Sequence, residues 1–143
     1  MKNILVINGP NLNLLGIREK SVYGDRTLND INEWLKEEAG KLDVELSFFQ
    51  SNHEGYIIDE IHSARNKFDS IVINPGAYTH YSYAIRDAIA GVSIPTVEIH
   101  LSDIKSREDF RKVSVIEPVC VGQVYGEGEA GYLTAIKKLI EVL

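Results

Sequence analysis

One pattern constrains this chain more than any other: short apolar runs alternate with segments of helical spacing. Runs rich in valine and isoleucine recur at residues 4–7, 44–49, 70–73, 96–99 and 118–121. Each run is short and largely apolar, which predicts a strand buried on both faces rather than one with a solvated side. The alternation therefore predicts a parallel β-sheet with helices covering both faces.

Apolar residues at helical spacing predict the helices between these strands. The first is expected to follow Thr27, which can form a capping pair with Asp30, and the second to span about 54–67. A third is expected from about 81 to 90, ending at Gly91, with a short helical turn near 107–110. The last, about 131–143, places on one apolar stripe Leu133, Ile136, Ile140 and Leu143.

Strands that alternate with helices imply right-handed β-α-β units. Five strands favour the order 2-1-3-4-5 of the flavodoxin-like, three-layer α/β fold. At 143 residues the chain has the size of one compact domain, and residues 1–143 are expected to form a single one.

Composition and charge exclude several classes of protein. The net charge is −6, and the basic residues form no cluster larger than a pair such as Lys137 with Lys138. The basic patch that would bind the phosphate backbone of a nucleic acid is therefore missing. No apolar run approaches the roughly 18 residues that span a bilayer, and residues 4–7 are too few for a signal-peptide core. The single cysteine, Cys120, excludes an intramolecular disulfide. We expect a cytoplasmic protein that binds neither membranes nor nucleic acid.

Polar residues follow the predicted strands at the sheet edge where α/β folds of this kind bind ligands. Any one of them could serve only as a turn or capping residue. Their convergence on one edge nevertheless predicts a functional site. The residues are Asn8, Asn11, Ser51, Asn52, His53, Asn74, His80, Glu98, His100 and Ser102.

Residues 9–26 form a long connection with no clear periodicity. Connections in compact α/β domains are usually about 2 to 6 residues long, so this length suggests a lid. Arg18 precedes Tyr23 within it, and a nearby cation would lower the pKa of a phenol from about 10. Tyr23 could then act as a base, or it could be an exposed turn residue before Gly24.

Histidines supply further candidates for proton transfer. His80 and His100 can each exchange a proton near neutral pH, whereas His53 and His62 are typical of a loop and a helix surface. His80 and His100 with Glu98 could instead bind a metal ion, although Glu98 and His100 lie together on one strand end and no third ligand close to that pair is apparent. The glycine-rich segment 122–131 lacks the spacing of a phosphate-binding loop and is expected to form turns.

Five blocks of the sequence resemble the type II 3-dehydroquinate dehydratases and occur in that family's order. They are Gly9-Pro10-Asn11-Leu12-Asn13, Arg18 with Tyr23-Gly24, Asn74-Pro75-Gly76-Ala77 with Thr79-His80, Glu98-Ile99-His100-Leu101-Ser102, and Arg107-Glu108-Asp109-Phe110-Arg111. Together they cover essentially the whole chain, and ordered blocks are far more specific than a lone motif. The chain departs from the family pattern at Tyr81, where a smaller polar residue is frequent, and at Val113, where histidine is frequent.

The resemblance implies a lyase that removes water from 3-dehydroquinate in the trans sense. The product would be 3-dehydroshikimate, formed through an enolate in the shikimate pathway of aromatic amino acid biosynthesis. Neither a metal nor an organic cofactor would be needed. The resemblance also implies a homo-oligomer, a dodecamer built from trimers.

Roles for individual residues follow from the same resemblance. Tyr23 would be the proton acceptor, kept ionised by Arg18, and His100 would donate a proton to the departing hydroxyl. Asn11 would hold a water at the enolate oxygen, and Glu98 would orient the proton-transfer network. The substrate would be bound by Asn74, His80, Leu101, Ser102 and Arg111, and by Asp87 of a neighbouring subunit.

Three alternatives stay open at this point. A Schiff-base dehydratase would need a buried catalytic lysine, whereas the lysines here fall mostly on predicted helix surfaces or loops. A flavin- or nucleotide-binding module could share the fold, although residues 9–16 offer few hydroxyl groups to a phosphate. A non-catalytic oligomeric scaffold would fold correctly and give no turnover.

Overall fold

The computed structural model describes residues 1–18 and 20–143, and for Val22 and Tyr23 the backbone alone. Its centre is a sheet of five strands, β1 (Lys2–Asn8), β2 (Val44–Gln50), β3 (Ser70–Asn74), β4 (Thr96–His100) and β5 (Gly122–Tyr125). All neighbouring strands are parallel, and their order is β2-β1-β3-β4-β5. The predicted order 2-1-3-4-5 is confirmed.

Helices cover both faces of the sheet, as predicted. The helices of the chain are α1 (Lys20–Tyr23), α2 (Leu28–Gly40), α3 (Glu54–Ser63), α4 (Tyr83–Val92) and α5 (Ala130–Val142), and the last four form the two layers. Helices α2 and α5 pack on one face and α3 and α4 on the other. Among the described residues, no helix is both long enough and apolar enough to cross a bilayer.

Strand β1 shows why the apolar runs need two helical layers. Ile4 and Val6 belong to the core under α2 and α5, whereas Leu5 and Ile7 belong to the core under α3 and α4. All four are at most 1% exposed. Successive side chains of a strand point to opposite faces, so an apolar run is fully buried only when both faces are covered.

The start of α2 is fixed by the predicted capping pair. The hydroxyl of Thr27 accepts a hydrogen bond from the N–H of Asp30, and the Asp30 carboxylate accepts one from the N–H of Thr27. These bonds to Thr27, its backbone N–H first, hold the pKa of Asp30 below its ordinary value. Two backbone donors at the helix start are thereby satisfied.

The prediction of a fifth strand at residues 118–121 is wrong, because β5 lies at Gly122–Tyr125. Pro118 has no N–H to offer a sheet and lies in a turn of 3-10 helix, Glu117–Val119. Val119 and Cys120 pack against the core under α3 and α4. These two side chains are therefore buried beside the sheet rather than in an additional strand.

Several helix limits also differ from the prediction. Helix α3 ends at Ser63 rather than near 67, and α4 continues through Gly91 until Ser93, whose φ of 57° is left-handed. Gly91 therefore does not end the helix. Two 3-10 helices, Ile104–Ser106 and Asp109–Lys112, occupy the place of the single turn expected near 107–110.

The predicted stripe of α5 coincides only in part with its buried face. Ile136 is buried, but Ile140 and Leu143 are 36% and 40% exposed. The residues that do face the core include Tyr132 and Leu139. The spacing of apolar residues alone could not show which side of α5 faces the core, because the helix carries more apolar residues than one face can bury.

Candidate active site

A cavity of about 110 Å³ opens beside the carboxyl ends of the central strands, where sheets of this kind bind ligands. Its walls come from the connection after β1, the 3-10 helix Gly76–His80 after β3, and the segment after β4. The lining residues are Pro10, Asn11, Leu12, Arg18, Asn74, Gly76, Ala77, His80, His100, Leu101, Ser102, Ile104, Arg107 and Arg111. Three guanidinium groups and two imidazoles make the cavity polar and favourable to an anion.

The connections after β1 and β3 touch where they leave the sheet. The N–H of Gly9 donates a hydrogen bond of 2.8 Å to the carbonyl of Asn74. A Cβ atom at Gly9 would lie 2.7 Å from the carbonyl oxygen of Pro75. Gly76 adopts a φ of 60°, and its N–H donates to Oδ1 of Asn74 over 3.2 Å. Glycine permits this close approach, which brings both connections to the cavity.

Asn11 enters the cavity from a left-handed backbone conformation, with a φ of 70° at the start of the 3-10 helix Leu12–Leu14. Asparagine adopts this conformation more readily than most residues. The N–H of Asn11 donates to Oδ1 of Asn52 over 3.0 Å. The same oxygen accepts from Nε2 of Gln50 over 3.2 Å. Residues at the end of β2 therefore position the backbone of Asn11.

A cluster of buried polar side chains holds the side chain of Asn74 in place. Its Nδ2 donates to the hydroxyl of Tyr132 over 3.2 Å, and that hydroxyl donates to Oδ1 of Asn8. Asn8, Asn74 and Tyr132 are all buried. Because buried amides are costly when unpaired, the cluster fixes which atoms Asn74 can turn toward a ligand.

Glu98 lies on β4 and is fully buried, so it is not an exposed charge at the end of the strand. Its carboxylate is hydrogen-bonded to Nε2 of His100 and to the hydroxyls of Thr79 and Ser114. Burial acts to raise the pKa of Glu98, but the hydrogen bond and charge of His100, together with the two hydroxyls, outweigh it and lower the pKa. Glu98 is therefore a carboxylate at neutral pH.

His100 connects this carboxylate to the cavity. An ionised carboxylate only accepts hydrogen bonds, so Nε2 of His100 must carry the hydrogen in its bond to Glu98. That bond leaves Nδ1 as the ring atom that gains and loses a proton. In this arrangement a protonated His100 can deliver a proton to a group in the cavity, because Glu98 stabilises the imidazolium.

His80 has a different environment. Its Nδ1 donates to the carbonyl of Val113 over 2.7 Å, and its ring meets the ring of Phe110 edge-on at 5.7 Å. Burial lowers the pKa of His80, and the positive charges of His100 and Arg111 add to that, against the opposing effect of the Val113 carbonyl and of Glu98. A neutral His80 presents Nε2 as an acceptor, which suits binding of a hydroxyl group.

The cationic side of the cavity is built on the segment after β4. The Nε of Arg111 lies 2.9 Å from a carboxylate oxygen of Glu108, and its guanidinium lies 4.6 Å from the centre of the Phe110 ring. Nη1 of Arg107 donates to the hydroxyl of Ser102 over 3.4 Å. Planar guanidinium groups held in this way match the two oxygens of a carboxylate.

Most of the predicted site residues meet at this cavity. Asp87 lies elsewhere, on the exposed side of α4, and the side chain of Tyr23 lies outside the described residues. His53 precedes α3 and His62 is in its last turn, both exposed. Those that line the cavity are Asn11, Arg18, Asn74, His80, His100, Leu101, Ser102 and Arg111.

Three residues of the site were not among those predicted from the sequence. Arg107 belongs to the block that pointed to Arg111, so the block itself was a usable signal. Thr79 adjoins His80 in another block. No pattern in the sequence pointed to Ser114, because its contact with Glu98 forms only when the chain is folded. Within residues 1–18 and 20–143, no group of three or more His, Cys, Asp or Glu side chains could hold a metal ion.

Comparison with known proteins gives consistent results. The family described as dehydroquinase class II matches residues 2–140. A 3-dehydroquinate dehydratase of Caldicellulosiruptor saccharolyticus is 59% identical over 144 residues, which cover 100% of this chain and 99% of that protein. The crystal structure of a type II dehydroquinase from Butyrivibrio crossotus, 55% identical, superposes with a TM-score of 0.95 over 97% of each chain. That from Propionibacterium acnes, 38% identical, gives 0.94 over 99% of this chain and 97% of its own.

Proposed function

Because this chain belongs to the dehydroquinase class II family, we infer that it is a lyase that dehydrates 3-dehydroquinate to 3-dehydroshikimate in the shikimate pathway. One observation carries the chemistry: the His100–Glu98 pair opens onto a cavity that three arginines make positive. The substrate has a carboxylate, a ketone and hydroxyl groups. Its dehydration needs a cation to bind the carboxylate, a base, and an acid for the departing hydroxyl.

His100 is the proton donor in this proposal. Its Nδ1 would protonate the departing hydroxyl while Nε2 keeps its hydrogen bond to Glu98. The negative charge of Glu98 stabilises the imidazolium before the transfer and orients the ring throughout. Glu98 therefore orients the proton-transfer network and is not itself the acid.

Tyr23 is the proposed base, and residues 9–26 are the proposed lid of a single catalytic domain, 1–143. Arg18 lines the cavity and stands on this connection, five positions before Tyr23. A guanidinium close to the phenol favours the phenolate that removes the proton beside the ketone. We propose that closing of the connection over the substrate brings both groups to the reacting carbon.

The remaining polar residues bind the substrate and stabilise the enolate. Asn11 would hold a water at the enolate oxygen, where a donor in place before charge develops lowers the barrier. Arg111 would bind the carboxylate with two parallel hydrogen bonds. The substrate hydroxyls would be bound by Asn74, His80 and the main chain of Leu101 and Ser102. These steps use only side-chain acids and bases, so we propose that no cofactor takes part.

We further propose a cytoplasmic homo-oligomer, a dodecamer built from trimers, in which Asp87 reaches the substrate of a neighbouring subunit. Asp87 lies on the exposed side of α4, and Tyr81 and Tyr83 at the start of that helix are 59% and 64% exposed. Exposed aromatic residues of this kind are enriched at protein interfaces. Light scattering of the purified protein tests the assembly directly.

The function is tested by following the ultraviolet absorbance of the conjugated product after adding 3-dehydroquinate. Wild-type protein should turn over, whereas Tyr23→Phe and His100→Ala should each lose nearly all activity while remaining folded. Tyr56→Phe and His62→Ala change exposed residues of the same types on α3 and should be fully active. An active Tyr23→Phe would remove Tyr23 as the base.

The same assay separates the alternatives. Folded wild-type protein without turnover would favour a non-catalytic scaffold. Inactivation by borohydride in the presence of substrate would indicate a Schiff base on a lysine. Absorbance of a bound flavin in the purified protein would favour the nucleotide-binding module.

A further inference from the structure

Ser114 follows the 3-10 helix that carries Arg111 and lies half-buried behind the cavity. Its hydroxyl oxygen is 2.8 Å from Oε1 and 2.9 Å from Oε2 of Glu98. The same oxygen accepts hydrogen bonds from the N–H groups of Ile116 over 3.2 Å and of Glu117 over 3.0 Å. One hydroxyl therefore joins two backbone donors to the buried carboxylate.

The backbone decides where the Ser114 proton points. A hydroxyl has one hydrogen and two lone pairs. The N–H groups of Ile116 and Glu117 occupy both lone pairs, and neither N–H can rotate away. The one hydrogen is thus directed at Glu98, and the hydroxyl of Thr79, 3.0 Å from Ser114 Oγ, must also turn its hydrogen to the carboxylate.

Glu98 consequently faces three donors, from Thr79, Ser114 and His100. A protonated carboxyl would have to break one of these bonds, because its own hydrogen would point at a donor. Two other titratable groups, His80 and Cys120, interact electrostatically with Glu98, and these two are in turn affected by Arg111 and Glu117 respectively. Only the hydroxyls of Thr79 and Ser114 bind the carboxylate without titrating themselves.

We propose that Ser114 is a positioning residue that keeps Glu98 ionised, and so keeps the hydrogen on Nε2 of His100 and the exchangeable proton on Nδ1. This inference rests on the proposed dehydratase function of the site. Ser114 acts through Glu98 and does not touch the substrate. Loss of its hydroxyl leaves other anchors of the segment in place, including the 2.8 Å bond from the N–H of Val115 to the carbonyl of Thr79 and the buried Ile116.

The experiment measures kcat against pH for Ser114→Ala, Ser114→Thr and Ser114→Cys. Ser114→Ala should lose kcat by about tenfold, the size expected for one hydrogen bond to a charged group. The acid limb of the kcat profile of Ser114→Ala should move to higher pH, because Glu98 then takes up a proton more easily. Threonine keeps the hydroxyl and should restore the wild-type limb, and cysteine, a weak donor, should fall between.

A matched control is Ser106→Ala, which removes a hydroxyl that donates to the exposed carboxylate of Asp103 over 2.7 Å. Its kcat profile should coincide with that of the wild type. A lower kcat in Ser114→Ala with an unmoved acid limb, or no rescue by threonine, would overturn the proposal. A merely structural role would lower kcat at every pH alike.

A second readout does not depend on turnover. The protein has four histidines, and solid-state NMR of ¹⁵N-histidine-labelled protein, assigned with His100→Asn, reports the protonation of the His100 ring nitrogens. The acid titration of the Glu98–His100 pair should move to higher pH in Ser114→Ala. An unmoved titration would contradict the role of Ser114. A wild-type protein without turnover, together with the expected shift in Ser114→Ala, would contradict the proposed function instead.

Discussion

The hydroxyl of Tyr132 on α5 donates a hydrogen bond to Oδ1 of Asn8 on β1. This bond ties the last helix to the end of the first strand, 124 positions away. Burial raises the pKa of Tyr132, against a smaller lowering effect of Asn74, so the phenol remains a neutral donor. Its oxygen also accepts from Asn74, which lines the cavity.

Tyr132→Phe should therefore lower both stability and substrate affinity. The change removes the hydroxyl that pairs with Oδ1 of Asn8 and with Nδ2 of Asn74, and so leaves both of these buried atoms without it. We expect a loss of roughly 1–3 kcal/mol in the free energy of unfolding and a raised KM. Urea denaturation and steady-state kinetics measure the two effects. Tyr56→Phe, at an exposed position, is the control, and equal effects in both variants would contradict the prediction.

Glu98→Gln should change how stability depends on pH. The lowered pKa of Glu98 means that its stabilising contribution is present above the unfolded value, about 4.3, and is lost as pH falls through the folded value. Glutamine does not titrate, so the stability gap between wild type and variant should shrink on acidification. Urea denaturation from neutral to acidic pH measures it, with the exposed Glu45→Gln as control. A gap that widens toward acidic pH would sink the idea.

Arg111→Lys should weaken substrate binding more than it slows the chemical step. Lysine keeps the charge but loses the planar pair of donors that fits a carboxylate. A hydrogen bond to a charged group contributes about 1.5–3 kcal/mol, so KM should rise roughly 10- to 100-fold. Lys112→Ala, which removes a half-exposed cation of the same 3-10 helix, should leave KM unchanged. A lower kcat with an unchanged KM would mean that Arg111 acts in the chemical step.

Gly9→Ala should disrupt the close contact between the connections that follow β1 and β3. The new Cβ would meet the backbone carbonyl of Pro75 at 2.7 Å, and a backbone atom cannot move aside as a flexible side chain can. We expect a loss of roughly 1–3 kcal/mol in stability, and of most activity. Thermal unfolding and turnover report both. Gly55→Ala in α3, where a Cβ meets nothing within 4 Å, should be neutral or slightly stabilising.

Local patterns in the sequence were enough for most of the fold. Apolar runs predicted β1 to β4, and the pair Thr27 and Asp30 predicted the start of α2. Both predictions succeed because the periodicity of apolar residues and helix capping depend on residues close together in the chain. The fifth strand was misplaced onto residues 118–121 for the same reason. Val119 and Cys120 of that run pack beside the sheet, and packing between distant segments leaves no local period.

The same distinction between local and long-range interactions applies to the site. By itself the sequence determined which polar residues end the strands, because parallel strands bring their carboxyl ends to one edge, and it determined the family through five ordered blocks. Tertiary structure alone decided that Glu98 is buried with Ser114 and Thr79, and that Tyr132 supports Asn74. Hydrogen bonds between residues far apart in the chain depend on where the backbone places each donor, and a linear pattern does not encode that placement.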